Sequence, residues 1–464
     1  MVRRKKHRRE TFSFVHISHL NGFKDKETQN KIRRHAMGAA GQLRLKPRRN
    51  PTVSVDVHPN TTTIFGQNQP SLSQRPQQQI APHIAFLGTY PVETSTRARQ
   101  LIHFIVQVAG NLHFIPFRHE SYLLATADPA AFYLYLANAA FLQNHLTQKE
   151  SNQESSKYLG VCLSQVITRL EKEAPRISPG LMYTMLGLAC HETHLGNWDR
   201  RAVHLYGLER AVKARGGLGS LDQMISLLIF WFDVLESSSR DSIPRYAIPP
   251  HLMAESPPEG TISYPLTRIV ERLTRSGNHE IAGALKSFGI LVDFMGHKAH
   301  NDKVWNSSSQ GASLITPITH SLLSMPKPRG VIGRNYGGSG DYSLEMARIA
   351  LLVILARLKQ TFSFPSDELI YLQERFRMLL CSHSGSEFPD LELWCVVYVA
   401  LIDSAHMRAY VSYIDKLAEE LGVKGSEKIL ELARKIIFAD RIFPSEVGVL
   451  SFNAARGNII PDQI

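Results

Sequence analysis

The sequence predicts an all-α protein, a helical array with antiparallel helix pairs, preceded by a disordered basic N-terminal arm. From about residue 95 onward, apolar residues recur at intervals close to 3.6, which is the period of a helix with one buried face. Helix start and stop signals separate these segments, and the alternating pattern of strands is scarce. Hydrophobic residues make up 43% of the chain and charged residues 20%, which is enough apolar material for a sizeable core.

The positive charge of the chain is concentrated at its N-terminus. Residues 1–50 contain 15 Lys/Arg and 3 Asp/Glu, whereas the rest of the chain contains 38 of each. Because like charges repel, we expect this arm to stay extended, where it suits the acidic groove of an import receptor and also attracts nucleic-acid phosphates. The side chains predicted to make these contacts are Arg3, Arg4, Lys5, Lys6, Arg8, Arg9, Arg33, Arg34, Arg44, Lys46, Arg48 and Arg49.

Composition divides the chain into four regions. Residues 51–94 are rich in Pro, Gln, Thr and Ser, so they bury too little apolar surface to offset their chain entropy and are predicted to be a disordered linker. We therefore predict a basic arm at 1–50, a linker at 51–94, an all-helical domain at 95–450 and a C-terminal tail at 451–464.

In the first half of the helical domain, start and stop signals define the elements. Asp128-Pro129 and Ser178-Pro179 combine a capping oxygen with a proline in the first turn, and Gly216-Gly217 is a stop signal. Asn197 is predicted to cap the helix that begins near Trp198. The predicted helices cover an apolar segment around 101–108, then 128–142, 158–173, 179–188, 198–216 and 220–236.

In the second half, two Pro- and Gly-rich stretches interrupt the helical pattern. Residues 238–262 and 324–341 are predicted to be long loops, which are uncommon within a compact domain. The predicted helices around them cover about 263–300, 343–360, 367–380, 390–421 and 426–439.

Three features that suggest a catalytic, cofactor or metal site lack the required spacing. His191 and His194 are three residues apart, whereas a zincin helix needs four. The glycine-rich stretch at 330–340 has neither a preceding strand nor the Gly-Lys-Ser/Thr of a phosphate-binding loop. The four cysteines form no C-x-x-C pair and are expected to be reduced core residues. We therefore expect no enzymatic activity, cofactor or metal.

The stretch from His204 to Leu221, HLYGLERAVKARGGLGSL, carries a helix-packing and capping pattern. Its apolar residues form one stripe, Gly207 permits a close helix crossing, and the helix ends at Arg215, Gly216 and Gly217.

This stretch resembles the fungal-specific transcription factor domain, the regulatory domain found downstream of zinc-binuclear-cluster DNA-binding modules. A second resemblance lies at 388–423, where a Leu-x-x-Trp helix is followed by an amphipathic helix. Together the resemblance covers roughly residues 90–450. The positions that match the family pattern are His204, Gly207, Leu208, Arg215, Gly216, Gly217, Asp233 and Trp394.

The resemblance implies an α-helical array, a nuclear location and a role in regulating transcription. The chain departs from the family in one respect, because a zinc-binuclear cluster needs six closely spaced cysteines and the first 160 residues contain none. The leading hypothesis is therefore a nuclear transcription-regulator-like protein whose helical domain binds other transcription regulators or itself. Its arm would bind an import receptor and contact DNA phosphates.

Two alternatives remain open at this level. In the first, the chain is a helical scaffold that never binds DNA. In the second, it binds a small-molecule effector between its helices. No membrane partner is expected, since the longest apolar stretches are far shorter than the roughly 20 residues of a membrane span.

Overall fold

A computed structural model describes residues 90–108, 117–148, 152–174, 176–254, 261–297, 309–327, 339–360, 368–381 and 386–438. Within these ranges every regular element is a helix and no strand occurs, which confirms the predicted fold class. The predicted basic arm, the linker up to residue 89, residues 330–338 of the glycine-rich stretch and the C-terminal tail lie outside the described residues.

Over its described ranges, the N-terminal half contains eight α-helices. They are α1 (Thr96–His103), α2 (Arg118–Ala127), α3 (Pro129–Leu146), α4 (Gln153–Glu173), α5 (Pro179–His194), α6 (Trp198–Ala214), α7 (Gln223–Ser238) and α8 (Pro250–Ala254).

The C-terminal half, over its described ranges, adds eight more. They are α9 (Tyr264–Arg275), α10 (His279–His297), α11 (Gln310–Ser324), α12 (Ser339–Gln360), α13 (Glu368–Leu380), α14 (Pro389–Ile402), α15 (Arg408–Glu420) and α16 (Ser426–Ile436).

Two of the predicted helix starts use the expected caps. The carboxylate of Asp128 accepts hydrogen bonds from the backbone N–H groups of Ala130 and Ala131, at 2.9 and 3.1 Å. The hydroxyl of Ser178 accepts from Leu181 N at 3.4 Å. Asn197 occupies the N-cap position of α6 as predicted, but its side chain makes no capping hydrogen bond, and its Nδ2 instead donates to Glu192 at 2.8 Å.

In the second half, the structure divides one predicted helical stretch and differs from two other predictions. The helical stretch predicted at 390–421 consists of two helices, α14 and α15, as the resemblance at 388–423 implies, and they separate at Asp403, whose buried carboxylate accepts hydrogen bonds from Tyr410 and Arg377 and contacts His406. The loop predicted at 238–262 contains the short helix α8, with Pro250 at its first position. Helix α11 lies in a stretch where no helix is predicted, and it contains Pro317.

Helices that follow one another in the chain pack against each other. The pairs α3–α4, α5–α6 and α9–α10 make the most extensive contacts of this kind. The connections at 195–197 and 276–278 are only three residues long, so the helices they join run in opposite directions. The predicted antiparallel helix pairs are therefore present.

Helix α12 forms the centre of the main hydrophobic core. The segment Ile349–Ala356 is apolar on every side and completely inaccessible to solvent, as expected for a helix surrounded by others. Its principal neighbours are α13 and α14. A smaller core lies between α1 and α3, around Leu101 and Phe132.

A buried cluster of charges ties the segment after α7 to α12 and α13. Arg348 donates from both terminal nitrogens to the two carboxylate oxygens of Asp241, at 2.8 Å each, and from Nε to Glu345 at 2.7 Å. Arg375 Nη1 lies 2.5 Å from Asp241, and Lys327 Nζ lies 3.2 Å from it. The carboxylates are thus neutralised by three cations, which offsets the cost of burying them.

All four cysteines are free thiols. Cys162 and Cys395 are buried and Cys190 is partly buried, whereas Cys381 is exposed at the end of α13, so the prediction that all four belong to the core is wrong for Cys381. Over the ranges that the structure describes, no helix is long and apolar enough to cross a membrane.

Candidate functional site

All but one of the residues of the sequence motif lie on two successive helices and the turn that ends the first of them. His204, Gly207 and Leu208 lie on α6, the Arg215–Gly217 turn ends that helix, and Asp233 lies on α7. Trp394 lies elsewhere, on α14, where its ring nitrogen donates to Ile437 O at 3.2 Å. The structure therefore brings seven of the eight motif residues into one region, and Trp394 belongs to a different contact.

The packing of α5 on α6 depends on a small residue at position 207. A Cβ atom placed on Gly207 would lie 3.2 Å from the Cε atom of Met185, which is closer than almost all such contacts. Leu208, the next residue, is buried in the main core. Gly207 thus lies on the inner side of α6, against α5.

The end of α6 has the geometry of a Schellman motif. Gly217 N donates to Val212 O at 2.9 Å and Gly216 N donates to Lys213 O at 3.1 Å. Both glycines have φ of +95°, a left-handed conformation that disfavours any other residue. The guanidinium of Arg215 then donates to Ile177 O at 3.1 Å, which joins this turn to the connection before α5.

Asp233 organises the loop that follows α7. Its buried carboxylate accepts hydrogen bonds from Arg245 N at 2.8 Å and Tyr246 N at 3.1 Å. Burial raises the pKa of Asp233 to about 6, although these two backbone hydrogen bonds and the nearby guanidinium oppose the shift. On the other side of the loop, His320 Nε2 lies 2.9 Å from Tyr246 O. Asp233 therefore fixes the conformation of the loop after α7 through its hydrogen bonds to the loop backbone.

His191 of α5 and His204 of α6 are packed as neutral rings. Burial, with a smaller contribution from Arg200 and His191, lowers the pKa of His204 to about 4. Burial, with a smaller contribution from His194, also lowers the pKa of His191 to about 4, and its Nδ1 lies 2.6 Å from Asn138 Oδ1. Within the described part of the chain, no group of three His, Cys, Asp or Glu residues is placed to hold a metal ion.

His204 should make stability depend on pH in a predictable direction. Its pKa in the folded protein is about 4 against a usual value of 6.5, so the unfolded chain binds more protons between these values. We expect the wild type to lose stability relative to His204→Gln as the pH falls from 7 to 5. Urea unfolding of both proteins at both pH values measures the change. Asp233 is present in both proteins, so its contribution cancels in the difference between their free energies of unfolding. A difference that is the same at both pH values would contradict the lowered pKa of His204.

The outward surface of α6 carries exposed aromatic side chains. Trp198 is 55% exposed and Tyr206 is 48% exposed, and Val203 between them is 47% exposed. The guanidinium of Arg201 lies over the Trp198 ring at 5.7 Å and that of Arg210 lies over the Tyr206 ring at 5.9 Å. We call this surface the outer α6 face. Its members are Trp198, Asp199, Ala202, Val203, Tyr206, Glu209, Arg210 and Lys213.

The outer α6 face was not predicted from the sequence, although a signal is present. The inward stripe of α6 includes Leu208 and Val212, and Trp198 and Tyr206 fall outside it at helical spacing. Large aromatic residues on the side that an amphipathic helix turns to water are typical of an interaction surface.

A groove of about 380 Å³ lies between α9, α10 and α16. Its walls are partly apolar, with Leu266, Val292 and Ile436, and partly charged, with Asp293, Arg434 and Lys435. At its edge the guanidinium of Arg434 lies 5.0 Å from the centre of the Phe438 ring. The volume falls within the range of small-molecule sites, so this groove is the feature that the effector-binding alternative requires.

Comparison with known proteins identifies one domain. Residues 100–270 match the family model described as the fungal specific transcription factor domain. The match runs from α1 into α9 and includes the motif on α6 and α7, so the resemblance inferred from the sequence is confirmed over this part of the chain. No curated protein and no solved structure matches the chain.

Proposed function

We propose that this protein, whose residues 100–270 carry a fungal-specific transcription factor domain, is a nuclear regulator of transcription that acts through protein association. The family match is the observation that carries the proposal, because this family is regulatory and not enzymatic. The helical domain would associate with other transcription regulators or with a second copy of itself. The exposed aromatic residues of the outer α6 face support an association role, since Trp, Tyr and Arg are the residue types enriched at binding hot spots.

The charge distribution supports a separate role for the N-terminal arm. All of the net positive charge, +12, comes from residues 1–50, and the remainder of the chain is electrically balanced. A basic peptide of this kind is suited to bind an import receptor and to neutralise DNA phosphates, whereas a balanced helical domain has no such general attraction to a polyanion. We therefore assign import and DNA contact to the arm.

Chromatin immunoprecipitation of the tagged full-length protein in its native host tests this function. The matched variant carries Ala at Arg3, Arg4, Lys5, Lys6, Arg8 and Arg9. We expect nuclear signal and chromatin enrichment for the wild type, and a shift of the variant to the cytoplasm because the import receptor loses its basic ligand.

A second form of the same variant, fused to an unrelated import signal, separates import from DNA contact. Enrichment that stays lost in this nuclear form would assign DNA contact to the six basic side chains. Enrichment that returns would assign recruitment to the helical domain through other regulators. A wild-type protein that is nuclear yet shows no enrichment would contradict the proposed function.

A further inference from the structure

The outer α6 face has opposite charges at its two ends. Its N-terminal end carries Asp199, and the half after Tyr206 carries Arg210 and Lys213. With Glu209 included, the face holds two acidic and two basic side chains, so it has no net charge. A surface of this kind is complementary to its own reversed copy.

The spacing of these residues is symmetric about Tyr206. Asp199 and Lys213 are each seven residues from Tyr206, which places them about 10 Å away along the axis in opposite directions. Seven residues fall about 20° short of two full turns, so all three side chains lie along one line of the helix. A twofold axis through this point would place Asp199 opposite Lys213 of a second copy, and this contact would occur twice.

We infer that the outer α6 face is a self-association surface on which two copies of this chain pack α6 against α6 in antiparallel orientation, with the twofold axis at Tyr206. This inference rests on the proposed role of the helical domain in protein association, and it names the partner. A parallel pair is disfavoured because it would place Asp199 beside Asp199 and Lys213 beside Lys213. The antiparallel pair also opposes the two helix dipoles, which is the favourable arrangement.

The residue types at the centre fit a contact between proteins. The Tyr206 rings of two copies would meet at the axis, where Arg210 already lies over its own Tyr206 ring at 5.9 Å. Val203 of one copy would face Glu209 of the other and Ala202 would face Arg210, because the members of each pair are equally far from the axis in opposite directions. Aromatic and Arg side chains are enriched at such centres, and charged groups belong at the rim.

The expected dimer is weak. The contact is centred on one helix of 17 residues, so it buries less surface than a standard stable interface. Self-association should therefore be concentration-dependent and should weaken as salt screens the two pairs of charges at the rim.

Charge reversal on the full-length chain tests the arrangement by sedimentation equilibrium over a range of concentrations. Asp199→Lys alone places like charges opposite Lys213 and Arg210, and Lys213→Asp alone places an acid opposite Asp199. We expect each single variant to weaken dimerisation by tenfold or more, about the effect of losing two ion pairs and gaining repulsion. The double variant Asp199→Lys/Lys213→Asp should dimerise again, since both pairs are restored with reversed sign.

The control is Glu431→Lys, a charge reversal on an exposed side chain of α16, which should leave dimerisation unchanged. Circular dichroism of each variant checks folding, because all three substituted side chains point into water. Tyr206→Cys provides a geometric readout, since a residue on the twofold axis meets its own copy. Placed in a Cys381→Ser background to remove the exposed native thiol, it should form an interchain disulfide under mild oxidation.

Three outcomes would overturn the inference: a wild type that is monomeric at every concentration, single variants that dimerise normally, or a double variant that does not recover. These outcomes are distinguishable from failure of the proposed function. A monomeric protein that still occupies chromatin would reject self-association alone. An intact dimer without chromatin enrichment would reject the regulatory function alone.

Discussion

Replacing Asp241 with Asn should lower the free energy of unfolding by about 3–5 kcal/mol, the usual cost of removing one partner from a buried charge cluster. Burial by itself would raise the pKa of Asp241. The opposing effect is larger: the pKa is lowered to about 2 by the hydrogen bonds and charge of Arg348 and by the charges of Arg375 and Lys327. The Asp241 side chain is therefore a carboxylate at neutral pH, and the Asn variant leaves three cations with only Glu345. Urea unfolding at pH 7, followed by circular dichroism, measures the loss.

Substitution by Asn separates the effect of removing the charge from any effect on the backbone. Asp241 has φ of +44°, a left-handed conformation that Asn tolerates and Ala does not, so backbone strain does not contribute. The control is Glu431→Ala, which removes an exposed partner of Lys435 and should leave the free energy of unfolding nearly unchanged, because solvent screens the pair. Combining Asp241→Asn with Arg348→Met should cost less than the sum of the two single losses, because Arg348 no longer remains buried without its partner. Additive losses would contradict a shared cluster.

Replacing Trp394 with Ala should also cost about 3–5 kcal/mol, because it removes a large buried ring and leaves a cavity. The side chain is 1% exposed, its ring centre lies 5.3 Å from that of Tyr398, and its Nε1 donates to Ile437 O. It thereby attaches the end of α16 to α14, the helix that packs on the central helix α12. Urea unfolding gives the free energy of unfolding, and near-ultraviolet circular dichroism reports the loss of aromatic packing.

Trp394→Phe is the matched control for this second prediction. It keeps most of the buried volume and loses the indole hydrogen bond, so its cost should be about 1–2 kcal/mol, clearly below that of the Ala variant. If the two variants were equally destabilised, the hydrogen bond to Ile437 and not the packing would be the dominant contribution.

The elements that were predicted correctly are those in which neighbouring residues carry the signal. The cap at Asp128, the cap at Ser178 and the stop at Gly216-Gly217 are interactions between residues a few positions apart. Such interactions depend on residue type and spacing, and both can be read from one segment. The contact that stabilises the break at Asp403 could not be read in this way, because its carboxylate is held partly by Arg377, which belongs to another helix.

In the candidate site, too, local features were predicted and contacts between distant residues were not. The motif from His204 to Gly217 and Asp233 was recognised from residue identity, and the family match at 100–270 agrees with it. The buried charge cluster was not predicted, because Asp241, Arg348 and Arg375 are separated by more than 25 residues each and nothing local indicates that they meet. A charged residue is expected at the surface unless its partners are known.

By itself, the sequence determined the all-helical class, the positions of many helix ends, the concentration of positive charge in the first 50 residues and the family resemblance. Periodicity, capping and charge are properties of short segments, so no knowledge of the packed chain is needed to read them. Only the tertiary structure decided which sides of the helices meet. It placed Arg348 in the core and left Trp198 and Tyr206 of α6 in water. Helical periodicity states which residues share a side, but burial is decided by what packs against that side, and those contacts join residues far apart in the chain.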